Sequence, residues 1–150
     1  MGYVSRPDRI AFLAALSAVA TFAATASDAA DLALPPGLYQ VEVRIGLPNV
    51  QDVAAPLLVT RCVSPDDLKS GLAFFVLSDN PLKHCGLVDY QTTNSAALYR
   101  IVCAGPNKGN AVAVFDTKGS TYRGTIRMNM GGKNMTMSET QAGKRIGDCR

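Results

Sequence analysis

The chain has 150 residues, of which 47% are hydrophobic and 18% charged, and a formal net charge of +3. This length predicts one domain with a hydrophobic core of modest size. With 15 basic against 12 acidic residues, the chain lacks the basic excess that nucleic-acid-binding proteins concentrate on one surface. The composition therefore argues against nucleic acid as a partner.

The N-terminal segment has the pattern of a secretory signal peptide. Two arginines precede an almost wholly apolar run over residues 10–22, and Ala24 and Ala26 fit the small-residue rule for cleavage. The apolar run is shorter than the roughly 20 residues that a membrane-spanning helix needs, so we expect a mature chain without a membrane span. We predict a signal peptide over residues 1–26, with cleavage near 26 to 30, followed by a single domain over 31–150.

Two strands and a helix are predicted in the first half of the mature chain. After Pro36-Gly37, apolar and polar residues alternate from Tyr39 to Ile45, which indicates a strand with one buried face and one face in water. A more uniformly apolar strand follows at Leu57–Val63. Ser64 then suits a helix cap, with Pro65 at the first helical position and two aspartates at the positive end of the helix dipole. We expect a short helix of about two turns.

The second half of the chain has the pattern of a β-meander. Its turns are short, and short connections force neighbouring strands to be antiparallel. With the two early strands the total is seven, or eight if Arg145–Cys149 adds another. This mainly β pattern predicts a small barrel or a strongly curved sheet with one short helix. The strand candidates in this half are Cys85–Thr92, Ala97–Ala104, Asn110–Thr117, Thr121–Met130 and Asn134–Gln141.

Four cysteines follow the leader, and an even number in a small exported domain indicates structural disulfides. A turn centred on Asn94 places Cys85 directly opposite Cys103, where β-carbons lie about 4.5 to 5.5 Å apart, close to disulfide geometry. We therefore assign this pair and, from the cysteines left over, Cys62–Cys149, with other connectivities still open. The chain has no Cys-x-x-Cys motif, which disfavours a redox site, and its cysteine spacings are too long for a typical zinc site.

Four methionines flank the last predicted turn and form the most unusual local feature. In a tight hairpin Met128 faces Met137. The same register places Met130 opposite Met135, so all four thioethers lie on one face. Three interpretations stay open: core packing, the lining of an apolar pocket or contact surface, and ligation of Cu(I) by the methionines. The methionine patch consists of Tyr122, Ile126, Met128, Met130, Met135 and Met137.

The sequence contains no recognisable catalytic constellation. Neither Gly-x-Ser-x-Gly nor His-Glu-x-x-His is present, and His84 is the single histidine, which leaves little for hydrolase chemistry. The adjacent Asp66 and Asp67 are explained as helix-capping residues. We therefore expect no enzyme activity and no cofactor.

Several segments, taken in order and spacing, resemble one known family. They are Pro36-Gly37-Leu38-Tyr39, Arg61 to Asp67, the paired Cys85 and Cys103, the Met-x-Met hairpin, and Gly143 to Cys149. Over residues from about 34 to 149 the chain resembles the bacterial envelope family catalogued as domain of unknown function 3617, in which tryptophan is usual where Tyr39 stands. The resemblance implies an exported protein in the periplasm of a Gram-negative bacterium. It implies no activity and no site residues, since the family has none assigned.

These observations together predict a non-enzymatic periplasmic binding module. In one alternative, the apolar interior with its four methionines receives a small apolar or lipid-like ligand. In the other, the core is fully packed and a structural or stress-related envelope protein binds other proteins through the edge or a face of its sheet. An internal cavity of about 300 Å3 or more would distinguish the two.

Overall fold

The computed structural model describes residues 31–48, 55–105, 109–131 and 135–150. The predicted signal peptide and its cleavage site lie outside the described residues, as do parts of three loops. Each of the seven main predicted strands is present. The elements are β1 (Gly37–Gly46), β2 (Leu57–Val63), α1 (Pro65–Ser70), β3 (Gly86–Thr92), β4 (Ala96–Val102), β5 (Asn110–Lys118), β6 (Thr121–Asn129) and β7 (Thr136–Gly147), with 3-10 helices at Leu72–Phe74 and Pro81–His84.

The seven strands form one antiparallel sheet in the order β2-β1-β7-β6-β5-β4-β3. Every pair of consecutive strands is hydrogen-bonded except β2 and β3, and β1 also pairs with β7. This is the strand order of an up-and-down barrel in which one neighbouring pair, β2 and β3, is not hydrogen-bonded. The predicted strongly curved sheet is therefore confirmed, whereas the alternative of a closed barrel is wrong. The reason is the segment 64–85, here called the connecting segment, which separates β2 from β3 and packs on one face of the sheet.

The predicted eighth strand at Arg145–Cys149 is wrong, because β7 continues without interruption to Gly147. Hydrogen bonding to β6 on one side and to β1 on the other extends this strand well beyond the predicted end at Gln141. Near its end the register shifts: Leu38 pairs with Gly147 but Tyr39 pairs with Arg145. One additional β7 residue is accommodated there as a β-bulge.

The hydrophobic core lies between the connecting segment and one face of the sheet, which we call the inner face. The alternation predicted for β1 is observed, since Tyr39, Val41 and Val43 are at most 2% exposed. From the connecting segment, the ring of Phe74 stacks on Phe115 with centroids 4.9 Å apart. Aromatic pairs of this kind contribute about 0.5–1.5 kcal/mol beyond the burial of their area. They fix the connecting segment against the sheet.

Two glycines make room for the core aromatic rings. Gly124 lies directly opposite Phe115, and Gly143 lies directly opposite Tyr122. A β-carbon added at Gly124 would lie 2.2 Å from Phe115 Cδ1, and one at Gly143 would lie 2.1 Å from Tyr122 Cε1. Both distances are far inside van der Waals contact. The rings therefore occupy the space that side chains at these two positions would need.

Both predicted disulfides are confirmed. Cys62 is bonded to Cys149 with a Cα–Cα distance of 5.5 Å, and Cys85 to Cys103 with a Cα–Cα distance of 4.7 Å. The second bridge continues the β3–β4 register beyond the pair Gly86 and Val102, as the hairpin prediction requires. The first bridge joins β2 to the residues just after β7, although β1 lies between these two strands in the sheet. It fastens the end of the chain to an edge strand.

The predicted helix cap is also confirmed. Ser64 Oγ accepts a hydrogen bond from the Asp67 backbone N–H at 3.1 Å, and Asp67 Oδ2 accepts one from the Ser64 backbone N–H at 2.9 Å. This second bond holds the pKa of the Asp67 carboxyl below its usual value. The helix ends at Gly71, whose φ of 81° is left-handed. No helix within the described ranges has the length and hydropathy needed to cross a membrane.

Candidate functional site

The structure divides the predicted methionine patch between core and surface. The hairpin register is as predicted, with Met128 opposite Met137 and the Met130 N–H donating to the Met135 carbonyl at 2.9 Å. Met130 and Met137 are half-buried, whereas Met135 is 58% exposed. Ligation of Cu(I) by the four methionines stays a prediction. The remaining members of the patch, Tyr122, Ile126 and Met128, are at most 3% exposed, which favours the core-packing interpretation for them.

Two polar side chains that the sequence interpretation missed lie in the core on the inner face of β7. Glu139 and Gln141 are both fully buried. The Glu139 carboxylate accepts hydrogen bonds from the Leu77 and Ser78 backbone N–H groups, each at 2.9 Å, and from Gln141 Nε2 at 2.6 Å. The Ser78 hydroxyl also donates to it. Alternation along β7 is the signal that could have placed both residues inward, because they share the face of Met137.

Glu139 anchors the connecting segment to β7. A buried carboxylate is a common catalytic signal, but here backbone and side-chain donors of the connecting segment and of Gln141 bind both carboxylate oxygens. No described cluster of three histidine, cysteine or acidic side chains could hold a metal ion. The carboxylate thereby accepts hydrogen bonds from two backbone N–H groups of the connecting segment.

Three further strands bind the connecting segment through side chains. The Tyr99 hydroxyl of β4 donates to the Phe74 carbonyl at 2.7 Å, and the Tyr90 hydroxyl of β3 donates to the Leu68 carbonyl at 2.7 Å. From β2, the Arg61 guanidinium donates to a carbonyl of the first 3-10 helix. Burial raises the pKa of the Tyr99 hydroxyl, and the nearby Glu139 raises it further. Strand side chains thus hold the segment over the inner face and satisfy its backbone groups.

An open groove with a volume of about 1090 Å3 lies on the opposite, outer face of the sheet. Strands β5, β6 and β7 form its floor. Leu47 and Pro48, just after β1, form a lip at one side. Val112 and Val114 line the groove on β5, and Arg127 and Ser138 line it on the two neighbouring strands. The groove therefore combines apolar side chains with a cation and a hydroxyl.

An apolar strip extends from the groove across the two neighbouring strands β5 and β4. It consists of Leu98, Val102, Val112 and Val114, which are 40–50% exposed. Leu98 and Val114 are directly opposed in the β4–β5 register, which joins the strip across the two strands. On β4, Arg100 lies between Leu98 and Val102 and directly opposite Val112, and it is paired with Asp89. Single exposed apolar residues are ordinary on a protein surface, but contiguous ones mark interaction sites. The strip was missed because the inward residues of β5 are apolar as well.

Of the two arginines beside the apolar strip, Arg123 has an acidic residue directly opposite and Arg127 has none. Arg123 lies directly opposite Asp116, an acidic residue. Arg127 instead lies between Val112 on β5 and Ser138 on β7, neither of which carries charge. Within the described part of the chain, neither arginine belongs to an ion pair; the pairs there are Arg44 with Glu42, Arg100 with Asp89, and Arg145 with Asp148.

Comparison with known proteins identifies a family without a known activity. A family model described as Protein of unknown function (DUF3617) matches residues 34–149. No curated protein and no solved structure matches the chain. The match spans every strand of the sheet and all four cysteines, in agreement with the resemblance noted from the sequence.

Proposed function

The chain belongs to the DUF3617 family, and from its surface we propose that it is a non-enzymatic binding module of the bacterial envelope that contacts another protein through the outer face of its sheet. The apolar strip carries this proposal. Its four aliphatic residues are 40–50% exposed in a domain with a well-formed core. The buried centres of protein interfaces are apolar and poor in charge. The charged side chain between Leu98 and Val102, Arg100, is already neutralised by Asp89.

The packing of the inner face supports a protein partner over an internal ligand. Phe74 of the connecting segment is fully buried against the sheet, stacked on Phe115 and edge-on to Tyr122. Glu139 and Tyr99 hydrogen-bond the same segment. An internal ligand would have to displace these contacts, whereas a partner at the outer face displaces only water.

We place this function in the periplasm of a Gram-negative bacterium. Two disulfides favour an oxidising compartment. The leader pattern of residues 1–26 and the family resemblance both support export to this compartment.

A small apolar or lipid-like ligand is the second candidate. The outer groove favours it, because about 1090 Å3 is close to the upper end of the volumes usual for ligand pockets. Such a ligand would lie on Val112 and Val114 at the surface. Native mass spectrometry of protein purified from its own cells distinguishes the two candidates, since a lipid-like ligand adds a small mass and a protein partner a large one.

Site-specific photo-crosslinking in intact cells tests the proposed function. We place the crosslinker at Thr125, which lies opposite Val114 in the groove, and at Gln40 on the outer face of β1 as a control position. A discrete crosslinked protein is expected at Thr125 and not at Gln40. Equal labelling at both positions, or none at Thr125, would contradict the proposal.

A further inference from the structure

We propose that the partner presents an extended acidic–apolar segment, with one carboxylate that pairs with Arg127 and apolar side chains that cover Val112 and Val114. This inference rests on the proposed function and specifies the chemistry of the partner. It follows from the charge and register of the outer groove.

Arg127 is a cation beside the apolar strip, since it lies directly opposite Val112. Residues directly opposed on antiparallel strands have β-carbons about 4.5–5.5 Å apart, so the base of the Arg127 side chain adjoins Val112 on one side and Ser138 on the other. Neither neighbour can neutralise the guanidinium. Its planar donors match the two oxygens of a carboxylate. A group that satisfies it must therefore come from outside the sheet.

The other charges of the groove limit the partner to a single anionic group at this point. Among the described residues, the charged ones that line the groove are Asp116, Arg123 and Arg127, which sum to a net charge of +1. Because Asp116 lies directly opposite Arg123, the excess charge is concentrated at Arg127. Anionic membranes and nucleic acids are bound by clusters of many cations. A lone excess cation beside valines fits one carboxylate among apolar side chains.

The length and direction of the groove fit an extended peptide. Its β5 lining runs from Asn110 to Asp116, and six residue steps of a strand span about 20 Å. A peptide lying along β5 presents alternate side chains to the sheet at the same spacing as Val112 and Val114. The carboxylate of such a peptide can reach Arg127, because β6 is the strand next to β5 and Arg127 lies directly opposite Val112.

Three labelled peptides test the inference with purified, oxidised protein. Each is a decapeptide of valine, threonine and serine with a single central glutamate, glutamine or lysine, and fluorescence anisotropy measures its binding. We expect the glutamate peptide to bind about tenfold more tightly than the glutamine peptide. Arg127→Gln is expected to remove this preference, and Arg127→Glu to transfer it to the lysine peptide. Arg44→Gln is the matched control, because Arg44 is already paired with Glu42 at 2.7 Å.

A second measurement keeps the inference falsifiable if the probe peptides bind too weakly. In cells, Arg127→Glu should reduce the protein crosslinked at Thr125 about tenfold, while Arg44→Glu should not. An unchanged crosslink in Arg127→Glu would overturn the acidic partner and leave the proposed function standing. No crosslink in the wild type would remove both. Sedimentation with phosphatidylglycerol vesicles that depends on Arg127, without peptide binding, would overturn the inference in favour of a lipid surface.

Discussion

Glu139 on β7 and Ser78 in the connecting segment are joined by two hydrogen bonds, although 61 residues separate them in the chain. The same carboxylate accepts the neighbouring Leu77 N–H at 2.9 Å. These contacts hold the connecting segment over the inner face, between the two edge strands of the sheet. They leave the outer face as the surface available to a partner.

Loss of the Glu139 carboxylate should destabilise the domain strongly. Glu139→Ala leaves the Leu77 and Ser78 N–H groups buried without an acceptor, and we expect a loss of about 3 kcal/mol in the free energy of unfolding. Urea denaturation with both disulfides intact measures it. Glu42→Ala, which removes a carboxylate with a 41% exposed side chain, should cost less than about 1 kcal/mol. Equal effects of the two substitutions would contradict the anchoring role.

The close approach of Phe115 to Gly124 predicts that even a methyl group is costly there. Gly124→Ala would place its β-carbon 2.2 Å from the ring, and overpacking of this kind costs about 1–3 kcal/mol. Gly86→Ala is the control, because the nearest atom to its added β-carbon is the Val102 carbonyl oxygen at 3.9 Å. Thermal unfolding should show a lower midpoint for the first variant only. A Gly124→Ala variant as stable as the wild type would show that the ring can move away at no cost.

The buried tyrosines predict a loss of stability at alkaline pH. Burial raises the pKa of the Tyr99 and Tyr122 hydroxyls above the ordinary value of 10.0. Below about pH 10 both states keep these hydroxyls protonated, so the two tyrosines do not change stability with pH there. Above it the unfolded chain releases protons that the folded chain retains, and stability falls with rising pH. Urea midpoints from about pH 8 to about pH 11, with tyrosinate absorbance of the folded protein, measure the effect. Stability that stays flat across this interval would contradict it.

The two edge strands, β2 and β3, differ in how well they are protected from pairing with another copy of the chain. We predict that self-association takes place at β2. The β3 edge is interrupted by a register shift between Val88 and Gln91. By contrast, β2 pairs with β1 without interruption and carries Leu58, which is 64% exposed. We expect the wild type to associate with rising concentration in sedimentation velocity and, because charges protect edge strands from pairing, Leu58→Lys to associate less. Gln91→Lys adds the same charge to β3 and should change little; equal effects would contradict the assignment to β2.

Features encoded by neighbouring residues could be predicted from the sequence. The Ser64 cap depends on Asp67 three residues later, and the Cys85–Cys103 bridge depends on the register of a single hairpin. The methionine hairpin likewise gave the correct register. Its depth in the core was not predictable, because burial depends on how the connecting segment packs against the sheet.

Features created by distant contacts or by ambiguous patterns could not be predicted. Contacts between Glu139 and Ser78 depend on packing across 61 residues. Along β5, Ala113 and Phe115 are buried while Val114 is 50% exposed. In the middle of the strand Val112 and Val114 alternate with residues that are equally apolar, so the period-two pattern does not mark the valines as exposed. The apolar strip was hidden by this ambiguity.

The central claim is that the outer face binds a protein partner while the inner face serves as a packed core. Val114→Asp tests it most directly, read out by crosslinking from Thr125 in cells and by urea denaturation of the purified protein. We predict loss of the crosslinked partner with an unfolding midpoint close to that of the wild type, while Thr60→Asp on the exposed outer face of β2 retains the crosslink. A crosslink that survives Val114→Asp, or one lost equally in Thr60→Asp, would contradict the account.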